Sequence, residues 1–461
     1  MRFQFQFALV LPVLFSFAAA QQSTPSTPPP ASSSQSSSSA SPNNIPTPWL
    51  EAIGAVPTLI DDPWIVDLKF RTGDDGNVFN VAHNAVNSEL IEPGAHVSWH
   101  QEAWMEREQV YVDYDGDGVV YPRFSAINQG SQGLTVHAEV QPSVRWDVRL
   151  NNGTSMESGL LFLNQHAQSN VVTVEPLAGN PGVATPYASQ WDNITRLDAS
   201  YLTSQNGSVD LFSSYRLQRF RNVGANASLL DSTDFTTGAT YVYRMARNWW
   251  VGPTMSFERL RFGHASNAGL TTASGAVTWQ ASPVWTLTGF AGAQYVNLNQ
   301  QFQQNLFGSL VTIQSDSKNW HPQMGGSVER RWDWLRATLS AQRSITDGGG
   351  LLTTVTDTFE QLNLTLPQDA AQVLGWQIGG YLSNNSSRSL SPGFNRGVIR
   401  DQRVGLTISR RLSDRTALEF SDQFVRQRAV GLPNIDSATR NIATVGLSFR
   451  LAGPPQGSIS Q

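Results

Sequence analysis

The chain has 461 residues, a formal net charge of −5 and no cysteine. The absence of cysteine excludes disulfides, thiolate metal sites and cysteine nucleophiles, and the small net charge argues against nucleic acid as a main partner. Charged residues make up 15% of the chain, against about 25% in ordinary soluble domains, yet the mean hydropathy is −0.27. Neutral polar residues and glycine fill the difference, which suits strands whose two faces meet different media.

The first part of the chain predicts a leader and a linker. Arg2 precedes an apolar run at 7–17 and three alanines at 18–20, so residues 1–20 are predicted to be a signal peptide. The run is shorter than the about 20 residues that a membrane helix needs. Residues 21–48 are rich in Ser and Pro and are predicted to be a disordered linker. Residues 49–93 show no settled pattern and are assigned to an N-terminal periplasmic extension.

Residues 110–124 contain a candidate metal loop. Asp113, Asp115 and Asp117 alternate and a glycine follows, which matches the opening of a calcium loop. Position twelve of that loop should be glutamate, but it is Phe124. Alternating Val and Tyr on both sides favour a hairpin turn with Asp and Gly at its tip. A weak calcium site is the alternative, and no other metal or cofactor is expected.

One pattern continues from residue 94 to residue 452. Segments of about ten residues alternate apolar and polar side chains, as half-exposed β-strands do. In one of them, Val404, Leu406 and Ile408 fall on one face, and Arg403 and Thr407 fall on the other. Tight turns are predicted at 206–207, 246–248, 282–283, 332–333 and 413–414, and longer loops at 297–320, 344–350 and 383–397.

Short turns on one side and longer loops on the other are typical of an outer-membrane barrel. We predict an all-β, antiparallel transmembrane β-barrel over residues 94–452, with about 16 strands in a range of about 12–18, and a tail at 453–461. An even strand count leaves both ends of the barrel in the periplasm. A secreted soluble β-protein that binds carbohydrate is an alternative. However, Arg and Glu in mid-strand suit a wet lumen better than a dry core.

Charged residues on the polar faces are the candidate lumen-facing groups. They are Arg336, Arg403, Arg411, Glu419 and Arg450. Free arginines would bias a pore toward anionic solutes, including charged sugars. Arginines that are paired with Glu329, Glu419 and similar groups would instead keep the interior polar and closed, and the sequence favours neither interpretation. Arg410 falls on the apolar face near a strand end, where it can reach the lipid headgroups.

The seven histidines form no recognisable catalytic constellation. The chain has neither a G-x-S-x-G nor an H-E-x-x-H motif. His96 and His100 would share one face of a strand, about 13 Å apart at about 3.3 Å per residue, which is too far for one metal. They are assigned to the surface or the rim. The chain is therefore predicted not to be an enzyme.

Four phrases in the later part of the chain resemble those of known barrels: WTLTGFAGAQYV, RATLSAQRSITDGGGLL, SRRLSDRTALEFSDQF and IATVGLSFRL. They resemble strand–turn–strand phrases of large bacterial outer-membrane β-barrels, and more narrowly a porin-like group that includes barrels associated with exopolysaccharide export. The resemblance covers about residues 195–452. Such barrels often end on an aromatic residue, whereas here Phe449 is followed by a tail.

This resemblance implies an integral outer-membrane, porin-like channel. The implied solutes are polysaccharides or small solutes, and the implied partners are outer-membrane lipid and the barrel-assembly machinery. A closed structural or adhesive surface barrel without transport is the alternative function.

Overall fold

The computed structural model describes most of the chain from residue 64 to residue 452. The described ranges are 64–79, 83–102, 108–158, 189–221, 230–263, 266–306, 309–346, 354–367, 374–390, 397–431 and 437–452. The predicted signal peptide, linker and tail lie outside the described residues. Within the described ranges, no helix has the length and apolar character needed to cross a membrane.

The described residues form eighteen strands, and a short 3-10 helix, Ser125–Ile127, lies between the third and the fourth. The strands are β1 Trp64–Asp75, β2 Ser88–Glu102, β3 Glu108–Val119, β4 Gln129–Ser143, β5 Trp146–Ser158, β6 Ser189–Leu202, β7 Gly207–Arg221, β8 Ser232–Ala246, β9 Trp249–Phe262, β10 Ser266–Ser282, β11 Trp285–Leu306, β12 Ser309–Arg331, β13 Arg336–Thr346, β14 Val355–Thr365, β15 Trp376–Ser389, β16 Val398–Ser413, β17 Thr416–Val430 and β18 Ala438–Ala452.

These strands form a single closed antiparallel sheet. Each strand pairs with its neighbours in sequence, and β1 closes the ring by pairing with both β2 and β18. Closure gives every strand two hydrogen-bonded partners and removes the exposed edges. The predicted all-β antiparallel barrel is confirmed, but it has eighteen strands instead of about sixteen.

The barrel begins earlier than the sequence predicted. Strand β1 and the start of β2 fall within residues 49–93, which the sequence assigned to a periplasmic extension. In β1 the side chains of Leu68 and Phe70 are 42% and 53% exposed on the outward face, while Lys69 and Arg71 lie on the opposite face. In β1, apolar and polar residues alternate for only a few positions before a Thr-Gly-Asp-Asp sequence. This alternation was too short to predict a strand from the sequence.

The hairpin turn predicted at the Asp/Gly stretch is wrong. Strand β3 runs through it, pairing with β2 and with β4. Among the described residues, the glycines with positive φ are Gly263, Gly375 and Gly431, so Gly116 and Gly118 do not make a turn. The three aspartates occupy alternate positions of an extended strand and share one face, because side chains alternate with a period of two.

Connections are mostly short at one end of the barrel, named here the turn end, and mostly longer at the other, named the loop end. Exceptions include the connection at 366–375 at the turn end and the connection at 307–308 at the loop end. All the predicted tight turns fall at the turn end, between β6 and β7, β8 and β9, β10 and β11, β12 and β13, and β16 and β17. The segments that the sequence predicted to be long loops are largely strand. Strand β11 continues to Leu306 and β12 begins at Ser309, while β13 and β15 continue to Thr346 and Ser389. Trp64 and Ala452 both lie at the turn end.

The two faces of the sheet differ in polarity. On β18 the outward Val445, Leu447 and Phe449 are exposed, while the inward Thr444 and Ser448 are buried. Burial alternates in the same way along the whole of β9. The belt of exposed apolar side chains is much larger than the patches that soluble monomers show, and it is the kind of surface that lipid covers.

Candidate functional site: the lumen wall

The inward-facing side chains of the described strands form the lumen wall, which is the candidate site. Many of its arginines pair with carboxylates. Three arginines that the sequence placed on the polar face do so: Arg403 Nε donates to Asp401 at 2.6 Å, Arg450 Nε to Asp67 at 2.8 Å, and Arg336 Nη2 to Glu329 at 2.9 Å. The sequence left open whether the lumen arginines are free or paired with carboxylates, and for these three the geometry supports pairing.

Arg411 and Glu419, the other two predicted lumen-facing residues, lie on β16 and β17. Both occupy inward positions in the half of the barrel nearer the turn end, where Arg411 is exposed and Glu419 is half-buried. Arg410 faces outward and its guanidinium lies 5.0 Å from the ring centre of Trp376. These two neighbouring arginines therefore meet different media, as the alternation of β16 predicted.

Other carboxylates also lie on the lumen wall. They are Asp113, Asp115, Asp117, Asp210, Asp234, Glu258, Asp357 and Glu419. The inward lysines and arginines of the described strands are fewer than the inward aspartates and glutamates: they are Lys69, Arg71, Arg149, Arg196, Arg216, Arg244, Arg331, Arg336, Arg403, Arg411, Arg440 and Arg450. The described lumen wall therefore carries a surplus of negative charge, which attracts cations along the interior.

A cluster of one imidazole and two carboxylates lies on β2 and β3. His96 Nδ1 is 3.0 Å from Asp115 Oδ1, and His96 Nε2 is 3.3 Å from Asp113 Oδ1. Ligand atoms of the three residues lie within 4.8 Å of one another. Lys69 Nζ approaches the same oxygen of Asp115 at 4.0 Å. The sequence missed this cluster because His96 and Asp115 meet only through the register of two strands.

The cluster differs from the calcium loop that the sequence suggested. Aspartates at alternate positions of an extended strand stand about 6.6 Å apart along it. Here the carboxylates of Asp113 and Asp115 both turn toward His96, but Asp117 does not join them, so the three aspartates do not form the ligand set of a calcium loop. The side chain of Asp117 lies instead against Gly94: a Cβ added at Gly94 would be 2.1 Å from Asp117 Oδ1. An imidazole nitrogen beside carboxylates suits a transition metal better than calcium. His96 and His100, which the sequence assigned to the surface or rim, both lie on the lumen wall.

Two apolar clusters lie on the inward side of the barrel at the loop end. The first, named the β9–β11 cluster, contains Leu260, Phe262, Ala268, Leu270, Val296, Leu298 and Ile345. The second, named the connection cluster, contains Val78, Leu90, Val119, Tyr121 and Ile127. Inward side chains become more buried in the same direction: on β16, Thr407 and Arg411 are exposed, whereas Ile399 and Asp401 are buried. The described lumen is therefore more open toward the turn end.

A buried polar group supports the connection cluster. Arg440 Nε donates to Asp75 Oδ1 at 3.0 Å, and the Tyr121 hydroxyl donates to Asp75 Oδ2 at 2.8 Å. Arg440 is 4% exposed and Asp75 0%. Burial raises the pKa of the Tyr121 phenol, so the phenol stays neutral and keeps its proton for Asp75. These contacts tie β1, β18 and the connection after β3 together.

Comparison with known proteins found similar solved structures but did not identify a family. No family model and no curated protein sequence matches the chain. OccAB3 of Acinetobacter baumannii is 9% identical, with 84% of this chain and 99% of that chain covered and a TM-score of 0.39. The outer membrane protein opdK from Pseudomonas aeruginosa is 13% identical, with coverage of 84% and 98% and a TM-score of 0.41. The FrpB iron transporter from Neisseria meningitidis is 8% identical, with coverage of 87% and 84% and a TM-score of 0.40. Similarity at this level assigns neither a family nor a substrate.

Proposed function

We propose that the chain is an integral outer-membrane protein and acts as a porin-like channel whose lumen favours cations. The observation that carries the proposal is a closed ring of strands with an apolar outward face and a polar, charged inward face. In lipid, backbone groups need partners within the protein, and a closed sheet supplies them. Export through the signal peptide at 1–20 and insertion by the barrel-assembly machinery belong to the proposal, which assigns no chemical reaction.

Aromatic side chains at the turn end support a membrane position. Trp146 lies 4.8 Å from Tyr201, and Trp249 lies 5.2 Å from Trp279, measured between ring centres. All four occupy outward positions next to the tight turns. Amphipathic rings of this kind concentrate where lipid meets water. The soluble carbohydrate-binding alternative gives no reason for such a girdle beside an exposed apolar belt.

The cation preference rests on the surplus of carboxylates on the lumen wall. A cation about 4 Å from one carboxylate gains about 1 kcal/mol in water, which is about a fivefold change in local concentration. The arginines that would favour anions are largely engaged in pairs such as Arg216 with Asp192, where Nη2 donates to Oδ2 at 2.8 Å. A channel with this wall should therefore pass cations more readily than anions.

Polysaccharide passage is a narrower form of the proposal. Its support is a lumen wall that includes neutral polar side chains able to exchange hydrogen bonds with sugar hydroxyls. Examples are Gln361, Asn363, Asn385 and Ser387 on β14 and β15. Conductance that falls when a neutral oligosaccharide is added would support it. Unchanged current at saturating oligosaccharide would refute passage through this lumen.

A closed barrel that serves as a structural or adhesive surface protein is the second candidate. The observation that favours it is the pair of apolar clusters at the loop end of the lumen. Such packing could block the passage of ions altogether. The two candidates differ in a single measurable property, the current that the purified protein carries across a bilayer.

The experiment uses the full chain, purified and inserted into planar bilayers under a salt gradient. We expect discrete conductance steps and a reversal potential of the sign that cation preference produces. The double variant Asp113→Asn/Asp115→Asn should reduce that preference, because it removes two inward charges. Asp316→Asn is the matched control, since Asp316 is exposed on the outward face of β12.

Three results would contradict the proposal. The absence of current at any voltage refutes the channel and favours the closed barrel. A reversal potential of the opposite sign refutes the cation preference alone. Recovery of the protein in the soluble fraction, without a change of gel mobility on heating, refutes the membrane barrel.

A further inference from the structure

The outward face of β13 to β17 carries a group of arginines near the loop end, named here the basic band. Its members are Arg343, Arg388, Arg400, Arg426 and Arg428. Their outward direction follows from the alternation of each strand: on β16, Arg400 shares its face with the exposed Val404 and Leu406, and the residue next to it, Asp401, is buried inside.

The strand register places the basic band directly above the apolar belt. Leu382, Val404 and Phe424 lie opposite one another on β15, β16 and β17 and form an apolar row. The next outward row toward the loop end is Glu360, Asn384, Gln402 and Arg426. The row beyond is Arg343, Thr358, Ser386, Arg400 and Arg428. The outward face therefore changes from apolar to basic and polar within one step along the strands.

Like charges meet inside this band. Arg400 and Arg428 are directly opposite each other, at a separation of about 5 Å between Cα atoms, and such a pair destabilises a sheet when nothing compensates it. No ion pair joins an arginine of the band to another described residue. The outward carboxylate of Glu360 accepts a hydrogen bond from Asn384 at 3.2 Å. An anion from outside the chain would remove the repulsion.

The turn end of the same strands has a different composition. There, aromatic rings dominate the outward face, and Arg410 lies against Trp376. Arginines recur on the outward face at the loop end of β7 and β9, as Arg219, Arg221, Arg259 and Arg261. On β1 and β2 the same end presents Asp74 and Glu89. The basic surface therefore occupies one end and only part of the circumference.

We propose that the basic band binds the phosphate groups of an anionic glycolipid in the membrane leaflet at the loop end. This rests on the proposed function, because it requires the barrel to span a membrane. The guanidinium group matches phosphate with a pair of parallel hydrogen bonds. Its position just beyond the apolar belt is the depth of the lipid headgroups. Asn384, Gln402 and Ser386 between the arginines can bond sugar hydroxyls.

The test measures lipid binding to the full chain in detergent micelles by native mass spectrometry. The probes are lipid A with both phosphates, the same lipid without phosphate, and phosphatidylglycerol. We expect the wild-type protein to prefer the phosphorylated glycolipid. The double variant Arg400→Gln/Arg428→Gln should weaken its binding by about tenfold or more, since charge-assisted bonds to phosphate are lost.

The matched control is Arg410→Gln, an outward arginine on the same strand at the turn end, and it should leave the affinity unchanged. If the double variant fails to fold, Arg400→Lys/Arg428→Lys serves instead. It keeps the charge and loses the paired geometry, so an intermediate loss is expected.

The same heat-induced change of gel mobility as in the wild-type protein, together with unchanged conductance, would show that the variants keep the barrel, so this inference can fail while the proposed channel stands. Three results would overturn it: wild-type affinity in the double variant, equal binding of the lipid without phosphate, or an equal loss of phosphatidylglycerol binding.

Discussion

Asp75 shows how one buried side chain holds distant parts of this barrel together. It accepts hydrogen bonds from Arg440 on β18 and from Tyr121 in the connection after β3. Breaking a buried ion pair leaves one charge without compensation, which costs far more than removing an exposed charge. The pair therefore matters for the stability of the closed ring, although it lies at the end of the lumen.

We expect Asp75→Asn to lower the free energy of unfolding by about 3–5 kcal/mol, because the Arg440 charge loses its buried partner. The measurement is urea-induced unfolding in lipid vesicles. The control is Asp316→Asn, whose side chain is exposed and accepts a bond from Asn299, and it should change stability by less than about 0.5 kcal/mol. Equal losses in both variants would show that Asp75 is not a buried partner of Arg440.

Strands β1 and β18 form the seam that closes the barrel, and glycine allows them to approach closely. A Cβ added at Gly73 would lie 1.9 Å from the backbone oxygen of Ala443, and one added at Gly446 would lie 2.2 Å from that of Phe70. Backbone atoms cannot move aside as a flexible side chain can. Closure of the ring therefore depends on these two positions lacking a side chain.

Gly73→Ala should weaken the seam by about 1–3 kcal/mol, the usual cost of forcing an extra methyl into a packed region. The temperature at which gel mobility changes on heating should fall. Gly275→Ala is the control, because nothing lies within 4 Å of a Cβ there. A Gly73→Ala protein that is as heat-resistant as the control would mean that the seam is looser than the structure shows.

The described lumen wall is polar and more exposed toward the turn end, as on β16, whereas at the loop end it is buried and holds apolar clusters beside buried polar groups such as Arg440 and Asp75. The β9–β11 cluster and the connection cluster both lie at the loop end, at one mouth of the proposed channel. In the proposed channel these two features act in opposite directions, because the charged wall favours the passage of cations and the apolar clusters restrict it.

If the β9–β11 cluster narrows the passage, Phe262→Ala should raise single-channel conductance, because Phe262 is fully buried on the inward face. The matched control is Phe257→Ala, on the outward face of the same strand and 45% exposed, which should leave conductance unchanged. The inward variant should also cost about 3–5 kcal/mol of stability. Identical conductance in a folded Phe262→Ala protein would place the narrowest point elsewhere.

The sequence by itself determined the antiparallel barrel, the two faces of the later strands and the end at which the tight turns lie. These properties are local, because the alternation of side chains along a strand and the residues of a turn can both be recognised in a short run of consecutive residues. Val404 and Arg403, or Val445 and Thr444, lie on the faces that their alternation predicted.

Tertiary structure alone decided the number of strands, the inclusion of β1 in the barrel and the extended conformation of the Asp/Gly stretch in β3. It also decided which charges meet: His96 with Asp115, Arg440 with Asp75, and Arg400 opposite Arg428. The physical reason is that these contacts depend on the register between strands, and a shift of one residue would send each side chain to the other face. Register across a closed ring is set by all eighteen strands together, so no short segment contains it.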